Sequence, residues 1–342
     1  MAYLKRKDIV YVLEATGVSG GIKNVFEHVN HLHDMGYRVH LFALDYQPNW
    51  FHLKVQIRKF NNYQEMLHIL KMMDAIKVAT WWKTLDLVLT SCDPQQGGRG
   101  IPFYLVQDIE ESYYPDSPNM QEKVRQTYKT SVNFLTIADW TTQQLAERFH
   151  KQATNVSIAI DLNLFKPNRT YYYDPFRILA CSRNSQHLKG FGITAEAVEI
   201  VYRKLSRISL FTFGPEPPNR IQAPTRHFPV PNDTTVADLY ANCGVFVQTS
   251  FHEGFGMPIL EAMACGAPVV TTKAEGNEEF CINEYNCLMV DKGDVEGVAN
   301  AIYRVLTDGE LRNHISANGI NTAQKYNWSR VMNNLDNVFS AY

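Results

Sequence analysis

Two glutamates eight residues apart, Glu253 and Glu261, lie in the stretch Ser250-Phe-His-Glu-Gly-Phe-Gly-Met-Pro-Ile-Leu-Glu-Ala-Met-Ala-Cys-Gly-Ala-Pro-Val-Val270. The pattern reads as a strand end, a glycine-rich turn, an amphipathic helix and a buried strand. Gly254 and Gly256, on either side of Phe255, let backbone N–H groups approach a ligand closely. The helix they open turns its positive end toward that ligand, which favours an anion such as phosphate. Each carboxylate can accept hydrogen bonds from paired hydroxyls of a sugar or ribose. A bare pair of glutamates is more often an acidic loop residue and a solvated helix residue. The Gly-x-Gly-x-Pro and Ala-Met-Ala-x-Gly-x-Pro-Val-Val runs that frame this pair argue for a built site.

Two further segments suit the same chemistry. In Cys181-Ser-Arg-Asn-Ser-Gln-His-Leu-Lys-Gly190, after a predicted strand, Arg183 and Lys189 can neutralise a diphosphate leaving group without a metal. In Thr16-Gly-Val-Ser-Gly-Gly-Ile-Lys-Asn24, Gly20 and Gly21 let the loop turn onto a helix N-terminus. That loop lacks the G-x-G-x-x-G spacing of a dinucleotide fold, although Asp45 could stand where a ribose-binding acid is expected.

Together these segments closely resemble the E-x7-E signature and companion motifs of family-4 retaining glycosyltransferases of the two-Rossmann GT-B fold. The resemblance is strong over residues 177–331 and diffuse over 1–165. It implies that Glu253 contacts the donor sugar and Glu261 the ribose hydroxyls. It assigns the diphosphate to Arg183 and Lys189, with Ser182 where glycine is usual, and brings the Gly20–Gly21 loop toward that diphosphate. Phe213-Gly214-Pro215 resembles a strand-end loop near the nucleotide, and Phe228-Pro-Val-Pro231 the segment that holds the base. In Ala274-Glu-Gly-Asn-Glu-Glu279 the usual double glycine is Glu275-Gly276. Asn327-Trp-Ser-Arg-Val331 resembles the start of a last helix that packs back on the first domain.

The first domain departs from the family. Many relatives carry a histidine where this chain has Gln107, which can hydrogen-bond a sugar hydroxyl but cannot act as an acid or base near neutrality. The run Leu105-Val-Gln-Asp-Ile-Glu-Glu-Ser-Tyr-Tyr114 is similar to rhamnosyltransferases of bacterial surface polysaccharides, which nominates Gln107 and Asp108 as substrate contacts. The plain alternative is a solvated acidic loop of Asp108, Glu110 and Glu111.

The function so implied is transfer of a sugar, with retention, from a nucleotide-diphosphate donor to a hydroxyl of a glycan or lipid-linked glycan. Glu253, Arg183 and Lys189 carry catalysis. The expected mechanism is same-face attack with no cofactor and no metal. A GT-B-fold epimerase or phosphorylase, or a non-catalytic nucleotide-sugar binding protein, would share the donor motifs. No D-x-D triplet and no His-x-x-x-His pair offers metal ligands.

The elements that must position these residues follow from alternating patterns. A chain of 342 residues suits two domains of roughly 150 residues each. Apolar runs at Ile9–Leu13, Arg38–Ala43, Leu85–Thr90, Pro102–Val106 and Asn133–Ile137 read as strands. Helical patterns at Gly20–Met35, Tyr63–Ala79, Asn119–Lys129 and Asp139–His150 lie between them. After a linker-like Asn163–Pro175, the alternation resumes with strands at Arg177–Cys181, Ser209–Gly214, Val245–Gln248 and Pro268–Thr272. The expected fold is α/β: two Rossmann-like αβα domains, 1–165 for the acceptor and 166–330 for the donor, facing across a cleft. Residues 331–342 form the returning helix.

Composition excludes other classes. Net charge is −2 and charged residues make up 20%, so no basic field suits nucleic acid. No apolar run reaches the roughly 20 residues that span a bilayer. The N-terminus reads as a first strand rather than a signal peptide, so the expected location is the cytoplasm. The mixture of Lys54, Arg58 and Lys59 with Leu53, Val55, Ile57 and Phe60 leaves weak peripheral membrane contact as a further expectation. The six cysteines have no CxxC pair and are expected as free thiols.

Overall fold

The computed structural model describes residues 7–183 and 187–342. Asn184, Ser185 and Gln186, inside the expected phosphate loop, lie outside the described residues, as do the first six of the N-terminus. The chain divides into two compact units: one runs to Ala159 and includes Trp328–Tyr342, the other is Ile160–Asn327.

The first unit contains β1 (Asp8–Leu13), α1 (Gly20–Asp34), β2 (Val39–Ala43), β3 (Ile57–Lys59), α2 (Tyr63–Met72) and β4 (Ala75–Ala79). It continues through α3 (Trp82–Cys92), β5 (Ile101–Val106), α4 (Pro118–Tyr128), β6 (Asn133–Thr136), α5 (Asp139–Phe149) and β7 (Ala153–Asn155). All strands are parallel, in the order β3-β2-β1-β4-β5-β6-β7. The order reverses between β1 and β4, and at such a switch point the following loops part to leave a crevice. Helices on both faces explain why Ile9, Val10, Tyr11, Val12 and Leu13 are all buried.

The second unit begins with β8 (Arg177–Cys181), α6 (Phe191–Lys204), β9 (Ser209–Gly214), β10 (Thr225–Pro229) and α7 (Asp233–Ala241). It goes on through β11 (Val245–Gln248), α8 (Met257–Ala264), β12 (Val269–Thr272), β13 (Leu288–Val290), α9 (Val295–Thr307) and α10 (Gly309–Ala323). Its sheet is also parallel, ordered β10-β9-β8-β11-β12-β13, with the reversal between β8 and β11. The last helix, α11 (Trp328–Phe339), belongs to the first unit: Phe339 meets the Phe103 ring edge-on at 5.5 Å, and Tyr37 donates to Asp336.

Two sequence expectations fail in one place. The helix expected over Tyr63–Ala79 stops at Met72, and Ala75–Ala79 is the strand β4. Leu85–Thr90, expected as a strand, lies inside α3. A lysine hid the true strand. Lys77 sits at the centre of β4, buried, with Nζ donating to the carbonyls of Ser91 at 2.9 Å and Arg99 at 2.7 Å. Meanwhile Leu85, Val88 and Cys92 are buried at helical spacing along α3.

Among the described residues no helix is long and apolar enough to cross a membrane. In the mixed stretch near β3, Val55 and Ile57 are half-buried. Leu53 and Phe60 are buried, while Lys54 pairs with Asp34 and Lys59 lies over the Tyr46 ring.

Candidate functional site

In the second unit, the expected donor residues gather at the carboxyl ends of β8, β9 and β11. The buried apolar run of β11 ends in polar Gln248, and Ser250 follows two residues later on the same side. Both point at Glu253, which is 5% exposed. Glu253 Oε1 accepts from Gln248 Nε2 at 2.7 Å and from Ser250 Oγ at 2.6 Å, and Oε2 accepts from Lys189 Nζ at 3.0 Å. A carboxylate has about four acceptor directions, so this arrangement leaves about one on Oε2 for a ligand hydroxyl. The carboxylate is fixed before any ligand arrives.

The turn carrying Glu253 is clamped from behind. Glu253 N donates to the Ala274 carbonyl at 3.1 Å, and Gly276 N donates to the Glu253 carbonyl at 3.1 Å. A Cβ at Gly276 would fall 2.2 Å from the Gly254 carbonyl oxygen, so no other residue fits there. Buried Asn277 fixes this support. Its Oδ1 accepts from Ala274 N at 2.9 Å, and its Nδ2 donates to the Thr272 carbonyl at 2.8 Å. Glu275 takes a left-handed backbone, φ 57°, which fits the double glycine expected here. Burial opposes its charge, but hydrogen bonds from His252 and Lys292 hold its carboxyl below the usual range.

Gly256 opens α8 with φ 98°, and Glu261 lies one turn into that helix, buried. Tyr240 is packed nearby. Burial, with the Glu261 charge, pushes its phenol far up, and its hydroxyl has no hydrogen-bond partner among the described residues. Phe255 corrects an expectation. Its side chain stacks on Phe280 at 5.0 Å and meets Tyr326 at 5.4 Å, so it anchors the turn in the core rather than lining the ligand face.

Arg183 and Lys189 flank the same place. Burial pushes the Cys181 thiol up, against the pull of the Arg183 and Lys189 charges beside it. Gly214, at the end of β9 with φ 141°, lies so close to Ser182 that a Cβ would sit 2.3 Å from its carbonyl oxygen. That contact holds the start of the Arg183 loop against β9.

In the first unit, Ser19 caps α1 by accepting from Ile22 N at 3.2 Å, with Gly20 and Gly21 in the first turn. Gln107 is not a free substrate ligand. Its Nε2 donates to the Gly21 carbonyl at 3.1 Å and its Oε1 accepts from Asn24 Nδ2 at 3.0 Å, which ties the end of β5 to the start of α1. The expected pairing of Gln107 with Asp108 as substrate contacts also changes. Asp108 is buried and accepts from Ile109 N at 2.7 Å and Tyr113 Oη at 2.6 Å.

Nor is the acidic run solvated. Glu110 is 2% exposed, and burial holds its carboxyl up at about 8 although Tyr104 and the Trp82 amide donate to it. Buried Glu111 pairs with Arg125 and Arg148. Asp45 accepts from the Thr16 hydroxyl at 3.2 Å and the Tyr46 amide at 2.8 Å, so it braces its own loop.

Gln248, Ser250 and Asn277 were not singled out from the sequence. Polar residues that end a buried apolar strand are the signal that could have found the first two. Among the described residues no cluster of three His, Cys, Asp or Glu side chains could hold a metal ion, and all six cysteines are free.

Residues 222–322 match the family model described as glycosyl transferases group 1. The lipopolysaccharide core biosynthesis glycosyltransferase LpsE of Rhizobium meliloti is 46% identical over 78 residues, 23% of each chain. The O-antigen chain mannosyltransferase B of Escherichia coli is 35% identical over 107 residues, 31% of this chain and 28% of that one. The chain spans about a quarter of the length of these curated relatives. Among solved structures, Anabaena HepE in complex with UDP-glucose superposes with TM-score 0.81 at 16% identity, over 98% of this chain and 100% of that one. WaaG, a glycosyltransferase involved in lipopolysaccharide biosynthesis, gives TM-score 0.75 at 13% identity, over 96% of this chain and 98% of that one. At these identities the likeness is one of fold, and the fold is that of the GT-B glycosyltransferases.

Proposed function

We propose that this protein is a retaining glycosyltransferase that moves a sugar from a nucleotide-diphosphate donor to a hydroxyl of a glycan or lipid-linked glycan. The carrying observation is the buried Glu253 carboxylate, fixed by Gln248, Ser250 and Lys189 at the glycine turn that opens α8. The group 1 match over residues 222–322 and the polysaccharide-building relatives support the reading.

The donor diphosphate lies among Arg183, Lys189 and the N-terminus of α8, whose charges and dipole offset the negative charge that grows on it. These cations take the role a metal ion would fill, so transfer is metal-independent. Glu253 orients the donor sugar through its remaining acceptor direction, and Glu261 holds the ribose hydroxyls. The bond from the anomeric carbon to the phosphate oxygen breaks, and its electron pair goes to the phosphate. The acceptor oxygen attacks the same face, and its proton passes to the departing phosphate oxygen. Transfer takes place in the cytoplasm, with weak peripheral contact to the membrane that carries a lipid-linked acceptor.

Proton NMR of the product formed from the donor that binds best is the test. Retained anomeric configuration is expected, and replacing both Glu253 and Glu261 by alanine should abolish product formation. Inversion sinks the mechanism. Full activity in the double variant sinks the site assignment, and turnover without an added acceptor, or with inorganic phosphate, points to an epimerase or a phosphorylase.

A further inference from the structure

The strands of the second unit all run parallel, so the residues that begin them share one end of the sheet, opposite the end that carries Glu253. Four arginines gather at that opposite end. Arg177 opens β8, Arg207 lies in the turn before β9, and Arg226 is near the start of β10. Arg169 is brought there by Thr170, whose amide donates to Asn242 Oδ1 at 2.9 Å just before β11. Each lies over an aromatic ring: Arg169 over Tyr173 at 4.4 Å, Arg177 over Phe211 at 4.3 Å, Arg207 over Phe176 at 3.5 Å and Arg226 over Phe228 at 4.7 Å. An aromatic face steadies a guanidinium but leaves its positive charge uncancelled.

Among the described residues none of these four arginines pairs with a carboxylate. The acids at this end are engaged elsewhere. Asp174 Oδ1 accepts from Phe176 N at 2.9 Å, Asp238 Oδ1 from Asn242 Nδ2 at 3.0 Å, and Asp308 Oδ1 from Leu311 N at 3.0 Å. Arg177 Nη1 donates to the Tyr172 carbonyl at 2.9 Å, which fixes the backbone beneath two exposed tyrosines. Tyr171 is 86% exposed and Tyr172 58%. In a chain of net charge −2, a cationic end rimmed by tyrosine is a local construction rather than a consequence of composition.

We propose that this end of the second unit docks on the anionic headgroup surface of a membrane. Guanidinium groups match phosphates in two-pronged hydrogen bonds, and tyrosine is favoured at headgroup depth because its ring is apolar and its hydroxyl polar. Arginines spread over separate loops suit a layer of phosphates better than one small anion. Single-stranded nucleic acid would call for rings open to stacking bases. Phe176, Phe211 and Phe228 are instead half-buried under arginines, and Tyr171 and Tyr172 lie against each other, 3.9 Å apart. Docked in this way, the carboxyl ends of β8, β9 and β11, with Glu253, face away from the lipid toward a soluble donor. The dock rests on the membrane contact of the proposed function, and moves that contact from the stretch around Lys54 and Arg58 to the second unit.

Co-sedimentation of the full chain with phosphatidylcholine vesicles, with and without phosphatidylglycerol, is the test, and UDP-, GDP- and ADP-sugar binding is measured in parallel by calorimetry. Wild type is expected to bind only the vesicles that contain phosphatidylglycerol, and less as salt rises. Arg207→Ala and Arg226→Ala should each weaken that binding about fivefold, with sugar-nucleotide affinity and melting temperature unchanged. Tyr171→Ala should weaken it as well, and Arg58→Ala in the first unit should not. Vesicle binding that survives both second-unit arginine variants, or that Arg58→Ala removes, overturns the dock. So does a wild type that binds a sugar nucleotide but ignores the vesicles, or that retains RNA in their place, and either result leaves the donor site standing. Arginine-dependent vesicle binding without binding of any sugar nucleotide keeps the dock and removes the transferase reading.

Discussion

Burial holds the Glu110 carboxyl at about 8, so the folded chain keeps a proton there that the unfolded chain releases near 4.5. Between those values the folded state binds more protons, and stability must fall as pH rises. Glu110→Gln keeps an acceptor for Tyr104 and the Trp82 amide and removes the titration. Its melting temperature should gain on wild type from about pH 4.5 to about 8 and then run parallel, a difference on the order of a few kcal/mol. Curves that never diverge would show that the group is ionised throughout. At Glu253 the prediction concerns packing. Gln248→Leu removes one of three donors to a buried carboxylate and should cost about 1–3 kcal/mol in thermal unfolding. Glu253 itself was legible from sequence because its glycines, proline and partner glutamate lie within one turn and one helix. Its supports were less so: Lys189 pairs with it from 64 residues away. Neither the substrate role of Asp108 nor the alternative of a solvated run showed the burial of Asp108, Glu110 and Glu111, because Tyr113, Tyr128 and Arg148 reach them through the fold.

At the scale of elements, the turn at Glu253 depends on the loop after β12. Gly276→Ala would drive a Cβ to within 2.2 Å of the Gly254 carbonyl oxygen, and backbone cannot yield as a side chain can. Melting should fall markedly, and any sugar-nucleotide affinity should fall with it. An unchanged melting temperature would mean that the two loops are not packed as described. The returning helix gives a second case. Phe339 is buried against Phe103, so Phe339→Ala should cost about 3–5 kcal/mol, seen as earlier unfolding of the first unit. The alternation of strand and helix was legible in both units because parallel strands buried on both faces read as apolar runs. It failed where one residue broke the rule. Lys77 placed a charge in mid-strand, while Leu85-Asp-Leu-Val-Leu-Thr90 alternates like a strand on a helix.

For the whole molecule, two compact units imply that heat unfolding need not be one transition. A donor that binds the second unit should raise the melting of that unit by mass action, about 2.7 kcal/mol at a hundredfold excess over Kd. The second unit was the more legible because its chemistry is packed into local motifs between Arg177 and Asn327. The first unit depends on pairs far apart in sequence, such as Asn24 on α1 with Gln107 after β5.

The proposed donor site needs no metal ion and is built on Arg183, Lys189, Glu253 and Glu261. Calorimetric titration of the full chain with UDP-, GDP- and ADP-sugars in the presence of EDTA tests it most directly. At least one is expected to bind, with Lys189→Met and Glu261→Ala each weakening it by about tenfold or more. Binding that requires a divalent ion, or that both variants leave untouched, would contradict it.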